Sequence, residues 1–150
     1  MSNNKIILSN ALLIFGGIAG FFFLTKIIGL DDVSELRLLN FVFVLWGINR
    51  AIKTNIKVNQ ESSYINNFSI GIGTSVLAVG FTIVGLIFYV GFIDSGLIAV
   101  LENTSFWIQN LSLPLIVFAL AIEGVASSVI CSFILMQYYK NYKVTDASIA

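Results

Sequence analysis

LRLLNFVFVLWGINRAI, Leu36 to Ile52, is the stretch of this chain whose reading decides the fold. Its apolar centre lies between Arg37 and Arg50 and includes Asn40. On a helix those two arginines stand about 20 Å apart. Long basic side chains keep their stems in apolar surroundings and carry the charge outward. About 5 Å gained at each end brings the stretch close to the ~30 Å hydrocarbon core of a bilayer. A short span over 35–53 is therefore expected.

The flanking sequence supports that reading. A spanning helix needs about 20 mostly apolar residues. Ile6–Leu30, Phe68–Ile93 and Leu111–Tyr139 each meet this length. Lys5 before an apolar run resembles the start of a signal peptide. The run continues through Phe21-Phe22-Phe23-Leu24 to Leu30 without an A-x-A cleavage site, so a retained helix is expected. Pro114 suits a first helical turn, where its missing N–H has no partner to lose. The expected fold is all-α: an integral membrane four-helix antiparallel bundle, one domain over 1–150, with spans near 6–30, 35–53, 68–93 and 111–139. The stretch Ser95–Gln109 is too short and mixed to span, and reads as a short interfacial helix in the outer loop.

Composition agrees. The chain is 57% hydrophobic and only 11% charged, against about 25% charged in an ordinary soluble domain. Too few charges are present to cover a globule in water. Eight basic and eight acidic residues balance, and no basic patch suggests nucleic acid. There is no His, and the one Cys, Cys131, lies in an apolar run. That removes disulfides, Cys/His metal sites and His-based acid–base catalysis. Neither a cofactor nor a metal is expected, and Ser127, Ser128, Cys131 and Ser132 lack a nearby base that would make any of them a nucleophile.

Charge also predicts orientation. With four spans, Lys5, Arg50, Lys53, Lys57, Lys140 and Lys143 share one side, whereas Lys26 and Arg37 mark the other. Basic residues favour the cytoplasmic side, so both termini are expected inside a bacterial inner membrane. Tyr138, Tyr139, Tyr142 and Trp107 suit interfacial anchoring.

Helices in lipid associate through close approach of small residues. Gly16 and Gly20, then Gly71 and Ser75, then Gly124, Ser128 and Ser132 form such stripes. They suit packing within one chain or between chains. Asp31, Asp32 and Glu35 cluster at the first outer turn. They read as helix-start residues, although carboxylates also attract divalent cations.

Glu123, in FALAIEGVASSVICSF, is the acid inside the last apolar run. Ionised carboxylates are costly there, near +3 kcal/mol for Asp at the centre of an inserted helix by ~20-residue insertion scales. The group must be protonated or partnered. Ser127 follows one turn on, and Arg37 or Asn40 from the second span is a candidate partner in the same outer half of the bilayer. Three roles stay open: a polar clasp between helices, a dock for a partner subunit or second copy, and a proton-linked or substrate contact in a small transporter. Transport sites usually use several such groups and broken helices.

Two stretches, Tyr64–Glu102 and Ile122–Lys140, together with Ala51–Asn55, resemble a family of small four-pass bacterial membrane proteins with a domain of unknown function. In that family a basic inner loop leads to a Tyr and a Gly-rich third helix ending in Ile-Asp, matched here by Ile93-Asp94. Family members commonly continue with Pro, where this chain has Ser95. The resemblance covers about the last two thirds of the chain. It implies four spans and a bacterial inner membrane, and carries no activity. The functional expectation is a non-enzymatic accessory or assembly subunit, or a small oligomer, whose surroundings are the lipid bilayer and a membrane protein partner or further copies of itself. The alternative is a small transporter or proton-linked carrier using Glu123.

Overall fold

The computed structural model describes residues 1–30, 34–99 and 112–141, without the side chains of Ser34, Glu35 and Arg37. The described residues are helical throughout their regular structure. Helix α1 spans Asn3–Ile28, α2 Asn40–Asn59, α3 Tyr64–Phe92 and α4 Leu113–Tyr139, with a 3-10 turn at Ser34–Leu39 before α2. Three of them, α1, α3 and α4, are long and apolar enough to cross a membrane. Helix α2 carries Arg50, Lys53 and Lys57 in its second half and is not among these three.

Local chemistry explains the helix ends. Helix α1 stops at Gly29, whose φ of 75° lies in the left-handed region that costs a Cβ-bearing residue energy. The Gly29 and Leu30 N–H groups then donate to the Lys26 and Thr25 carbonyls, closing the last turn. Ser63 caps α3 by accepting from the Asn66 N–H. Pro114 falls in the first turn of α4, where the sequence placed it. The expected helix through Leu36–Leu39 differs: it winds as a 3-10 turn, the tighter form common at helix starts, and α2 proper begins at Asn40.

Named contacts set direction and register. Ile7 lies against Gly73, Phe15 against Gly85 and Lys26 beside Asp94, so α1 and α3 run the same way. Gly17 meets Phe43 and Gly47 meets Ile14, so α2 runs against α1. Gly71 meets Ser132 and Gly124 meets Val79, so α4 runs against α3. Helices α2 and α3 each pack on all three other helices, whereas α1 and α4 share no comparable interface among the described residues.

The least apolar of the four helices therefore sits centrally. Its buried residues, Gly47, Ile48, Ala51, Ile52, Asn55 and Ile56, recur every three to four positions and form one face. Ile48, Ile52 and Ile56 pack with Cys131, Met136 and Tyr139 of α4. Outward, the helices expose large apolar side chains such as Ile27, Ile65 and Phe92. Water-soluble monomers do not normally expose such continuous apolar faces, and lipid covers them at no cost.

Hydrogen-bonded polar clusters lie at the two ends. At one end Asn55 donates to Asn67 at 2.9 Å, both buried, and Asn59 joins through Asn55 at 2.8 Å. At the other, Lys26 pairs with Asp94 at 2.5 Å and also donates to the Tyr89 hydroxyl. Lys5 and Lys26 stand about 32 Å apart along α1, close to the ~30 Å thickness of a hydrocarbon core. Residues 97–99 are helical, with Leu97 buried on Tyr89 and Val90. The rest of the expected interfacial stretch, the acidic residues Asp31 and Asp32, and the tail from Tyr142 lie outside the described residues, as does the Glu35 side chain.

Candidate functional site

Of the five small residues expected on α3 and α4, Gly71 and Ser132 meet across the two helices, and Gly124 meets Val79 instead. Gly71 comes so close to α4 that an added Cβ would stand 3.1 Å from the Ser132 hydroxyl oxygen. A Cβ at Gly124 would stand 2.7 Å from Val79. Ser75, Ser128 and Ser132 are almost fully buried. Ser75 donates to the Gly71 carbonyl at 3.0 Å and Ser128 to the Gly124 carbonyl at 2.7 Å, so these two hydroxyls are satisfied within their own helices, whereas the buried Ser132 hydroxyl has no hydrogen-bond partner among the described residues. The contacts at Gly71 and Gly124 thus bring α3 and α4 close together.

Gly16 and Gly20 are placed differently. Both are exposed, and open space lies where a side chain would stand. Their neighbour Gly17 makes the close approach, to the Phe43 ring.

Glu123 follows from the direction of that α4 contact. Gly124 faces α3, and one residue earlier the helix has turned by about 100°. The Glu123 side chain is exposed, amid Ile122, Val125, Ala126 and Ile130, all exposed as well. Among the described residues it forms no hydrogen bond or ion pair, not even with Ser127, which is half-buried. Asn40 is also half-buried, and its side-chain oxygen is buried without a partner. The structure therefore does not join Glu123 to Asn40, and the Arg37 side chain lies outside the described residues. By register through Val79 and α1, Glu123 stands roughly 12 Å along the axis from the level of Lys5 and roughly 20 Å from that of Lys26. That is nearer the Lys5 end than the outer half expected from the sequence.

Two polar constellations had no forecast as such. Lys26, Tyr89 and Asp94 join α1 to the end of α3, with the ammonium 5.0 Å from the Tyr89 ring centroid. The hydrogen bond from Lys26, helped by the Gly96 N–H, holds the Asp94 carboxyl below the usual carboxylate range. At the opposite end the Ser63 N–H, then the Asn66 amide, do the same for Glu61. The signal for the asparagine cluster was present: Asn55 and Asn59 lie one turn apart at the end of α2, facing Asn67 at the start of α3. No metal-binding cluster of His, Cys, Asp and Glu occurs among the described residues.

The site consists, then, of a carboxyl on the outer face of an apolar helix, backed by a tight small-residue contact. Compared with protein-family models, curated proteins and solved structures, the chain finds no match.

Proposed function

We propose that this chain is a non-enzymatic, four-pass component of a bacterial inner membrane, with both termini in the cytoplasm, that assembles with another membrane protein or with copies of itself through the outer face of α4. The observation that carries this reading is the outward direction of Glu123. A carboxyl turned to hydrocarbon gains nothing from its own fold and carries the full cost of leaving water. A hydrogen-bonding group across an interface removes that cost. Around it, Ile122, Val125, Ala126 and Ile130 supply an apolar surface for a neighbouring helix.

The four-pass reading uses α2 as a span packed through one face against its three neighbours. Its charged half then lies at the cytoplasmic end with Lys5, in line with the positive-inside rule. A carrier role for Glu123 has less support, because the group faces away from the packed helices rather than toward a path between them.

The test is crosslinking in native membranes. Single cysteines at Ile122, Ala126 and Ile130, in a Cys131→Ser background, are treated with a short bifunctional thiol- and photoreactive reagent. Adducts to a second copy or to one larger membrane protein are expected, weakened by Glu123→Leu and largely kept by Glu123→Gln, which preserves a hydrogen bond. Adduct yields unchanged by Glu123→Leu would remove Glu123 from the interface. Proton flux into vesicles that depends on Glu123 and is lost in Glu123→Gln would replace the assembly reading with the carrier.

A further inference from the structure

A second feature lies on the other side of the molecule, between α1 and α2. Lys5 and Arg50 line one cavity of about 560 Å³ together with Leu8 and Ser9. Leu12 and Leu13 line this cavity and also the next, of about 500 Å³, which runs on past Gly16, Gly17 and Trp46. The two form one groove, cationic at one end and apolar along the rest. Open space above Gly16 leaves its floor at backbone level. The Arg50 guanidinium lies 5.8 Å from the Trp46 ring centroid, which orients it over the groove. Among the described residues neither cation has a carboxylate partner; the ion pair there is Lys26–Asp94, at the far end of α1.

The dimensions fit one kind of occupant. From Lys5 to Gly17 the groove runs about 18 Å along α1. That is close to half of a ~30 Å hydrocarbon core, the depth of one leaflet. Basic pockets between membrane helices attract anionic head groups. We propose that the groove binds one anionic phospholipid of the leaflet on the Lys5 side. Its phosphate sits between Lys5 and Arg50, within reach of the Ser9 hydroxyl. One acyl chain lies along Leu12, Gly16 and Trp46. The charge complementarity selects an anionic lipid over a zwitterionic one, because among the described residues no acidic side chain lines the groove to receive a choline group.

Trp46 reports on its own groove. The chain has two tryptophans, so Trp107→Phe leaves Trp46 as the sole emitter. The protein is reconstituted in phosphatidylcholine vesicles that contain, at matched mole fractions, phosphatidylglycerol or phosphatidylcholine with brominated acyl chains. Brominated phosphatidylglycerol is expected to quench Trp46 at roughly tenfold lower mole fraction than brominated phosphatidylcholine, the effect of one to two well-placed cations. High salt narrows the gap. Lys5→Gln with Arg50→Gln abolishes it, and Gly16→Leu, which fills the floor, reduces quenching by the anionic lipid. Equal quenching by both lipids in the otherwise native chain would overturn the proposal without any groove variant. So would a preference that survives the double substitution, or quenching blocked by a second copy seated in the groove.

Discussion

Replacing Gly124 by alanine adds one methyl group to the α3–α4 contact. An ideal Cβ at Gly124 stands 2.7 and 2.8 Å from the two Val79 methyls and 3.4 Å from its Cβ. Val79 is β-branched on a helix, where one side-chain rotamer dominates, so it has little freedom to swing aside. Overpacking of this kind costs about 1–3 kcal/mol. Against it stands the gain of about 1 kcal/mol when alanine replaces a helical glycine. Gly124→Ala should therefore range from neutral to about 2 kcal/mol destabilising. Gly16→Ala is the control, since nothing lies within 4 Å of its added methyl. It keeps the propensity gain and should stabilise by up to about 1 kcal/mol. The propensity gain cancels in the difference, so the gap of about 1–3 kcal/mol measures the contact alone. Unfolding in mixed micelles titrated with sodium dodecyl sulfate, followed by far-ultraviolet circular dichroism, gives both values. Adding Val79→Ala should relieve the Gly124→Ala penalty, with a coupling of the same size in a double-mutant cycle. Equal effects at Gly16 and Gly124, or additive behaviour with Val79→Ala, would show that α4 does not approach α3 at this point.

Three other outcomes follow from the ends of the molecule. Asn55→Ala leaves the buried Asn67 carbonyl oxygen without its 2.9 Å donor, and the same unfolding titration should show a loss of about 1–3 kcal/mol. The Asp94 carboxyl titrates lower folded than unfolded, so its contribution is present above the ordinary carboxylate range and is lost as pH falls through the folded value. Once the intrinsic slowing of amide exchange in acid is divided out, protection at Tyr89–Ala99 should fall on acidification into that window, and Asp94→Asn should remove that fall. A single cysteine at exposed Val58, in the Cys131→Ser background, should resist an impermeant maleimide in intact cells and react once the membrane is opened; ready labelling in intact cells would reverse the proposed orientation.

How much of this was legible in the sequence depends on what each feature needs. Apolar length alone places α1, α3 and α4, because a helix in lipid satisfies its own backbone. Gly71 meets Ser132 across α3 and α4, and Gly124 meets Val79, but Gly16 and Gly20 turn outward and Gly17 packs instead. Choosing between adjacent glycines requires the rotation of α1 about its axis. A helix apolar on every side does not encode that rotation. The same gap hides the direction of Glu123, one position from Gly124 but on another face. Lys26 and Asp94 lie 68 residues apart, and their meeting depends on α1 and α3 being parallel neighbours of matched length. The place of α2 also reverses a ranking by hydropathy: the least apolar helix packs on all three others through one face, while Arg50 and Lys53 stay on its exposed side.

The Lys26–Asp94 pair also has a consequence in time. If α1 crosses the membrane as proposed, its lysine reaches the far surface while its counter-ion has yet to be synthesised. At ribosomal speeds of about 5–20 residues per second, the intervening chain takes roughly 3–14 s to make. Through that interval Lys26 has neither Asp94 nor the Tyr89 hydroxyl to hold it. On that reading the Lys26–Asp94 pair forms only once the third helix has been delivered, so it can hold the first helix in place only late in assembly.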